Sequence, residues 1–237
     1  MTTIAEQVHS FPVADALPEE RALFIRRTYG HLAGAIAAFV VLEYLLINSP
    51  LAPAMVDFIF RSRYAWLMIL GGFIAAGWLA RAMIARAKTR SMQYAGLGVY
   101  IVAEALIFIP LIFLAVYYSS RAVLPNAILI TAMLFAGLSV YALSTRKDFS
   151  FLGGILTVGG FVAIGLIVAG TLFGFNLGLV FSGGMVLLAA GAILYDTSKI
   201  VREYNTEDYV GASLRLFASV MLLFWYILRI VMRVTNR

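Results

Sequence analysis

Long apolar runs separated by short polar breaks organise this chain from residue 29 onward. A run of about 20 apolar residues is what an α-helix needs to cross a hydrocarbon core. Seven such runs occur: Tyr29–Asn48, Tyr64–Ile84, Met92–Tyr117, Val123–Leu143, Phe151–Phe173, Leu177–Thr197 and Gly211–Val234. The links between them are short, as in Ser144–Ser150 and Gly174–Asn176. Such links make neighbouring helices antiparallel and leave no room for a soluble domain. The pattern predicts an all-α membrane protein with a single seven-helix transmembrane domain over residues 29–237, preceded by a polar segment, residues 1–28. That segment lacks the apolar core and small-residue cleavage site of a signal peptide. No strong inverted repeat of the transporter kind is visible.

Composition narrows the class further. Of the 237 residues, 62% are hydrophobic and 13% charged, whereas soluble domains run near half apolar and a quarter charged. This chain requires lipid as its solvent. With no cysteine, disulfides, thiolate nucleophiles and the common structural zinc sites are excluded. His9 and His31 are too few for a histidine-rich metal centre, and nothing calls for a cofactor. His31, at the start of the first run, reads as a surface or capping histidine. Trp66, Trp78 and Trp225 read as interface anchors or packing.

The net charge of +6 does not point to nucleic acid, because the basic residues lie between apolar runs, where they face headgroups. One set of alternating links carries Arg21, Arg26, Arg27, Arg86, Lys88, Arg90, Arg146, Lys147, Lys199 and Arg202. The other carries Arg61, Arg63, Arg121, Arg233 and Arg237. The excess predicts a cytoplasmic N-terminus and an external C-terminus, in the inner membrane if the source is bacterial. Small residues recur at every fourth position, as in Gly30, Gly34 and Ala38, and in Gly72, Ala76 and Ala80. Glycines also crowd the fifth run. Close packing within the bundle is expected of these stripes.

Apart from Arg233 at the very end of the last run, six charges fall within the runs: Glu43, Arg81, Glu104, Asp196, Arg215 and Arg229. Each costs about 2.5–3.5 kcal/mol near the bilayer centre on insertion scales. Three acids and three bases therefore suggest pairing. Depth, at about 1.5 Å per residue, brings Arg81 or Arg215 level with Asp196, and Glu43 level with Arg229. Glu104 is central, with no evident partner. In the seventh run Arg215, Ser219, Leu222, Tyr226, Arg229 and Arg233 share one helix face. Lipid penalises that face, so the seventh helix is expected at the centre, wrapped by the other six. Snorkelling of Arg215 and Arg229 to headgroups is the alternative.

These residues resemble the Bax inhibitor-1 family over nearly all of residues 21–233. The match lies in Thr28-Tyr29-Gly30-His31-Leu32-Ala33, Gln93-Tyr94-Ala95, Ile107-Phe108-Ile109-Pro110-Leu111, the loop Arg146-Lys147-Asp148-Phe149-Ser150-Phe151-Leu152-Gly153, Leu194-Tyr195-Asp196-Thr197 and Tyr226-Ile227-Leu228-Arg229. The resemblance implies a central last helix. It also implies, as in calcium-leak members, an aspartate at Asp196 that pairs with a second aspartate on the last helix and senses pH. An arginine from the second span latches the closed path; Arg81 or Arg86 is the candidate here, with Arg215 a third. The second aspartate's position is occupied by Ser219, which donates a hydrogen bond but shares no proton. Serine there is similar to the bacterial branch whose members restrain a membrane-embedded ATP-dependent protease.

Two functions follow as expectations. The first is a pH-sensitive calcium or proton leak through Asp196, Ser219 and Glu104, with transient Ca2+ near Asp196. The second is a non-conducting protein that modulates a membrane protease or a stress or cell-death response, with the polar N-terminal segment contributing. An enzyme is not expected. The chain has no Gly-x-Ser-x-Gly, no His-Glu-x-x-His and one aspartate within its spans.

Overall fold

The computed structural model describes residues 12–62, 64–87, 89–145 and 147–236. His9, Arg63, Lys88, Arg146 and Arg237 lie outside the described residues. The described chain is helical: α1 (Pro18–Ile47), α2 (Leu51–Arg61), α3 (Ala65–Ala85), α4 (Arg90–Tyr117), α5 (Val123–Ser144), α6 (Leu152–Phe173), α7 (Gly178–Glu203) and α8 (Tyr209–Thr235). All but α2 are long and apolar enough to cross a membrane, which makes seven spans.

Helix ends depart from the apolar runs where polar sequence can still hold a helix. α1 begins at Pro18, well before Tyr29. Proline fits the first turn, where its missing N–H is no loss, and Glu19 and Glu20 suit the positive end of the helix dipole. α7 likewise runs six residues past Thr197, with Arg202 in its last turn. α6 stops at Gly174, whose φ of 76° is the left-handed conformation that glycine adopts without strain. The helix α2 answers to no predicted run. It is an 11-residue amphipathic helix of about three turns between the first two spans, too short to cross lipid.

The last helix contributes more to the core than any other. α8 buries residues along nearly its whole length, from Val210 to Leu228, and packs on α7, α5, α1, α4 and α3. Phe108 of α4 anchors this core, stacked on Phe224 at 5.6 Å and edge-on to Trp225 at 4.9 Å between ring centroids. Burying an aromatic ring of this kind contributes about 1.5–3 kcal/mol in water, and in lipid its value lies in dispersion and shape. α6 is the outlying span. Of its residues Ala163 and Gly170 are buried, and it packs chiefly on α7.

The small-residue stripes divide in two. Gly96 seats α4 against α3: a Cβ there would stand 2.9 Å from the Ala80 carbonyl oxygen. Gly77, Gly153 and Gly159 also lie against neighbours. Gly30, Gly34 and Gly72 face open space, so the expectation that these stripes pack inside the bundle fails for them. Gly30 and Gly34 line a shallow hollow beside Tyr94, Leu97 and Ile101 of α4, too far for contact.

Candidate functional site

Asp196 lies in α7 seven residues before its end, and Arg215 lies six residues into α8, so the tight α7–α8 hairpin sets them at one depth. Arg215 Nε donates to Asp196 Oδ1 at 2.5 Å, and Ser219 Oγ, one turn further along α8, donates to Asp196 Oδ2 at 2.5 Å. Both carboxylate oxygens are thereby satisfied. Asp196 is 6% exposed, so an unpaired charge here would be costly, and two charge-assisted bonds offset that cost. The Arg215 guanidinium also lies 5.7 Å from the Tyr195 ring centroid.

A cavity of about 680 Å³ opens beside this group, lined by Asp196, Arg215, Ser219, Arg81, Asp208 and neighbouring residues. Arg81 faces the cavity without bonding Asp196, and it is exposed rather than buried. Arg86 caps the end of α3 through its backbone and takes no part. Of the three latch candidates, Arg215 is the one in contact with Asp196.

A second cavity, of about 570 Å³, begins where the first leaves off. Ala218 and Ser219 line both. The second runs past Tyr100 and Glu104 toward Arg229. Glu104 is buried beside the Tyr100 hydroxyl one helical turn away, with no basic partner among the described residues. The predicted polar face of the last helix is therefore real in a specific sense. Arg215 and Ser219 look into one cavity, and Ser219, Leu222, Tyr226 and Arg229 into the other.

The expected pair of Glu43 and Arg229 is not formed. Glu43 is 4% exposed and neither carboxylate oxygen has a hydrogen-bond partner. Arg229 instead lies 5.8 Å from the Tyr226 ring centroid. Matching depth put the two level but could not set which way each side chain faces. His31 is held structurally, with one ring nitrogen 2.7 Å from the Arg27 carbonyl and the other 2.9 Å from the Tyr94 hydroxyl.

Sequence reasoning did not assign a role to the loop before α6, yet that loop touches the site. The Phe149 N–H reaches Ser198 Oγ at 3.5 Å, two residues beyond Asp196. Asp148 Oδ1 accepts the Ser150 N–H at 2.8 Å, and Arg202 stands 3.6 Å away. The Ser150 bonds, with help from Arg202, hold the Asp148 carboxyl below the ordinary carboxylate range. Among the described residues no cluster of His, Cys, Asp or Glu is placed to hold a metal ion.

The family model described as "Inhibitor of apoptosis-promoting Bax1" matches residues 21–236. The chain belongs to that family. Relatives of this Bax inhibitor family member include the Bax inhibitor 1 of Schizosaccharomyces pombe, 27% identical over 230 residues, covering 95% of this chain and 82% of the yeast protein. The Modulator of FtsH protease YccA of Escherichia coli is 38% identical over 102 residues, 43% of this chain and 46% of that one. An uncharacterized protein of Pseudomonas aeruginosa is 40% identical over 109 residues, 46% and 49% of the two chains. The chain spans about half the length of these two bacterial relatives. The yeast relative is named as an inhibitor and the Escherichia coli relative as a modulator. As a Bax inhibitor family protein with seven apolar spans, the chain is a multi-pass membrane protein.

Proposed function

We propose that this protein binds and modulates a membrane-embedded ATP-dependent protease and conducts no ions in its resting form. The similarity to the Modulator of FtsH protease carries this reading. The site supports it. A leak path for cations works by presenting uncompensated negative charge, and here the buried carboxylate is neutralised by Arg215 and capped by Ser219. A second aspartate beside Asp196 would add charge for a cation to meet; serine adds a hydrogen bond only. In this reading the N-terminus is cytoplasmic, and the polar N-terminal segment together with the exposed first turns of α1 meets the protease.

The test is co-purification from native membranes in mild detergent. Protease recovered with the full chain, and lost when the first 11 residues are removed, supports the proposal. A chain that comes out without protease, while the same preparation retains its fold by circular dichroism, overturns it.

One observation favours a second reading. Two cavities meet at Ser219, with Asp196 in one and Glu104 in the other, which is the arrangement a gated cation path needs if Arg215 can release Asp196. In that reading Arg215 is the latch and Ca2+ or H+ the permeant ion. Calcium entry into liposomes that rises on Arg215→Gln and vanishes on Asp196→Asn would support it. Liposomes that stay tight in both variants would exclude it.

A further inference from the structure

Arg229 and Arg233 lie one helical turn apart near the end of α8, and neither has an acidic partner among the described residues. Arg229 lines the far end of the 570 Å³ cavity, and both arginines line a smaller adjoining hollow with Leu111 and Met232. Arg233 also lies at the start of α7, where a Cβ on Gly178 would be 3.9 Å from its Nη1. The first turn of α7 has no side-chain cap, so its free N–H groups add positive potential at the same spot. Among the described residues, no anion answers these two guanidiniums at the open end of a helix dipole.

The cavity below them is mostly apolar. Leu70, Phe108, Leu111, Ile167, Leu222 and Trp225 form its walls. These come from α3, α4, α6 and α8. The flanking helices α3 and α6 make no substantial contact with each other, because α6 packs on α7 and α3 on α4. Residues of both helices line the cavity, which lies between them. Arg233 stands two residues, about 3 Å, short of the end of α8, and Arg229 six residues, about 9 Å, so the pair straddles the boundary between headgroups and hydrocarbon for a span of this length. Its volume lies in the range of small-molecule sites.

We propose that this cavity is a phospholipid site: Arg229 and Arg233 grip the phosphate of a net-anionic lipid, and one acyl chain enters between α3 and α6. Guanidinium suits this role because its planar fork matches phosphate oxygens. A net-anionic lipid is favoured over a zwitterionic one because, among the described residues, no carboxylate pairs with the arginines, leaving two positive charges to answer. The lipid then fills the side of α8 that no helix covers. The proposal uses neither Asp196 nor Arg215, and it goes with the non-conducting reading, because an acyl chain here would fill the cavity that a cation path past Glu104 needs.

Native mass spectrometry of the full chain, released from nanodiscs of equal dioleoyl-phosphatidylglycerol and dioleoyl-phosphatidylcholine, tests it. The wild-type protein should retain phosphatidylglycerol over phosphatidylcholine. The double variant Arg229→Gln/Arg233→Gln should lose phosphatidylglycerol affinity by about 30-fold, from roughly one kcal/mol for each basic residue, with phosphatidylcholine little changed. Thr171→Trp, which fills the cavity from α6 and leaves both arginines, should also lose the lipid. It serves as the readout if the double variant does not fold. Free glycerol 3-phosphate should not compete, because it brings no acyl chain. Equal retention of the two lipids, retention unaffected by the double variant, retention unaffected by Thr171→Trp, or full competition by glycerol 3-phosphate would each overturn the proposal.

Discussion

Removing Arg215 should expose how much of this fold depends on one buried charge pair. With a 2.5 Å contact, the charge centres stand roughly 4 Å apart, and at an effective dielectric of 20 their attraction is about 4 kcal/mol. The Arg215 side chain is 38% exposed, so solvent screens part of that, and about 2 kcal/mol remains as the pair's coupling. Arg215→Gln should cost more than that, about 2–3 kcal/mol, because it leaves the Asp196 carboxylate with Ser219 as its sole strong donor. Asp196→Asn should cost less, about 1–2 kcal/mol, since the released guanidinium still reaches water and the Tyr195 ring. The assay is a double-mutant cycle read by reversible unfolding in mixed micelles, with Arg81→Gln as the comparison. Arg81 lines the same cavity without touching Asp196, so its coupling to Asp196→Asn should stay below about 0.5 kcal/mol. A cycle in which Arg81 couples strongly and Arg215 does not would refute the assignment of Arg215 as the partner of Asp196.

The same unfolding assay checks two further sites. Gly96→Leu should destabilise by about 1–3 kcal/mol, because its first side-chain carbon meets the Ala80 carbonyl and Ile84, whereas Gly30→Ala, facing open space, should change stability by less than about 0.5 kcal/mol. Glu43→Leu should raise stability by about 1–3 kcal/mol, since it replaces a buried carboxyl without partners by an apolar group of similar size; a loss would mean that Glu43 has a partner in the membrane. At Asp148 the folded carboxyl is held below its unfolded value near 4, so its contribution is present above that pH and is lost as pH falls through the folded value. Hydrogen exchange at Ser150, corrected for intrinsic rates, should therefore show protection at pH 6 that disappears on acidification, and Asp148→Asn should lower the pH 6 protection; a variant as protected as the wild type would contradict the cap.

The spans were legible because lipid demands about 20 apolar residues in a row and tolerates little else. α2 was not, for the same reason: at 11 residues, with Pro53 within it, it carries no signal of that length. Asp57 and Arg61, four residues apart in an otherwise apolar Leu51–Arg61, place one polar stripe on a helix and are the clue that would have found it. Depth left Arg81 and Arg215 both open as neighbours of Asp196, because it does not say which side chain turns toward the carboxylate; Arg215 bonds it and Arg81 does not. Glu43 and Arg229 sit on helices far apart in sequence, where depth alone leaves the facing direction free. The polar face of the last helix was visible in the spacing of Arg215, Ser219 and Arg229, yet the two cavities it faces depend on α6 standing off from α3, which no local pattern encodes.

The most direct test is the ATP-dependent breakdown of a membrane substrate by purified protease, co-reconstituted in vesicles with this protein at increasing ratio. The account predicts degradation that slows in proportion to the protein added and recovers when the first 11 residues are removed. Degradation that proceeds at the same rate at every ratio would contradict it.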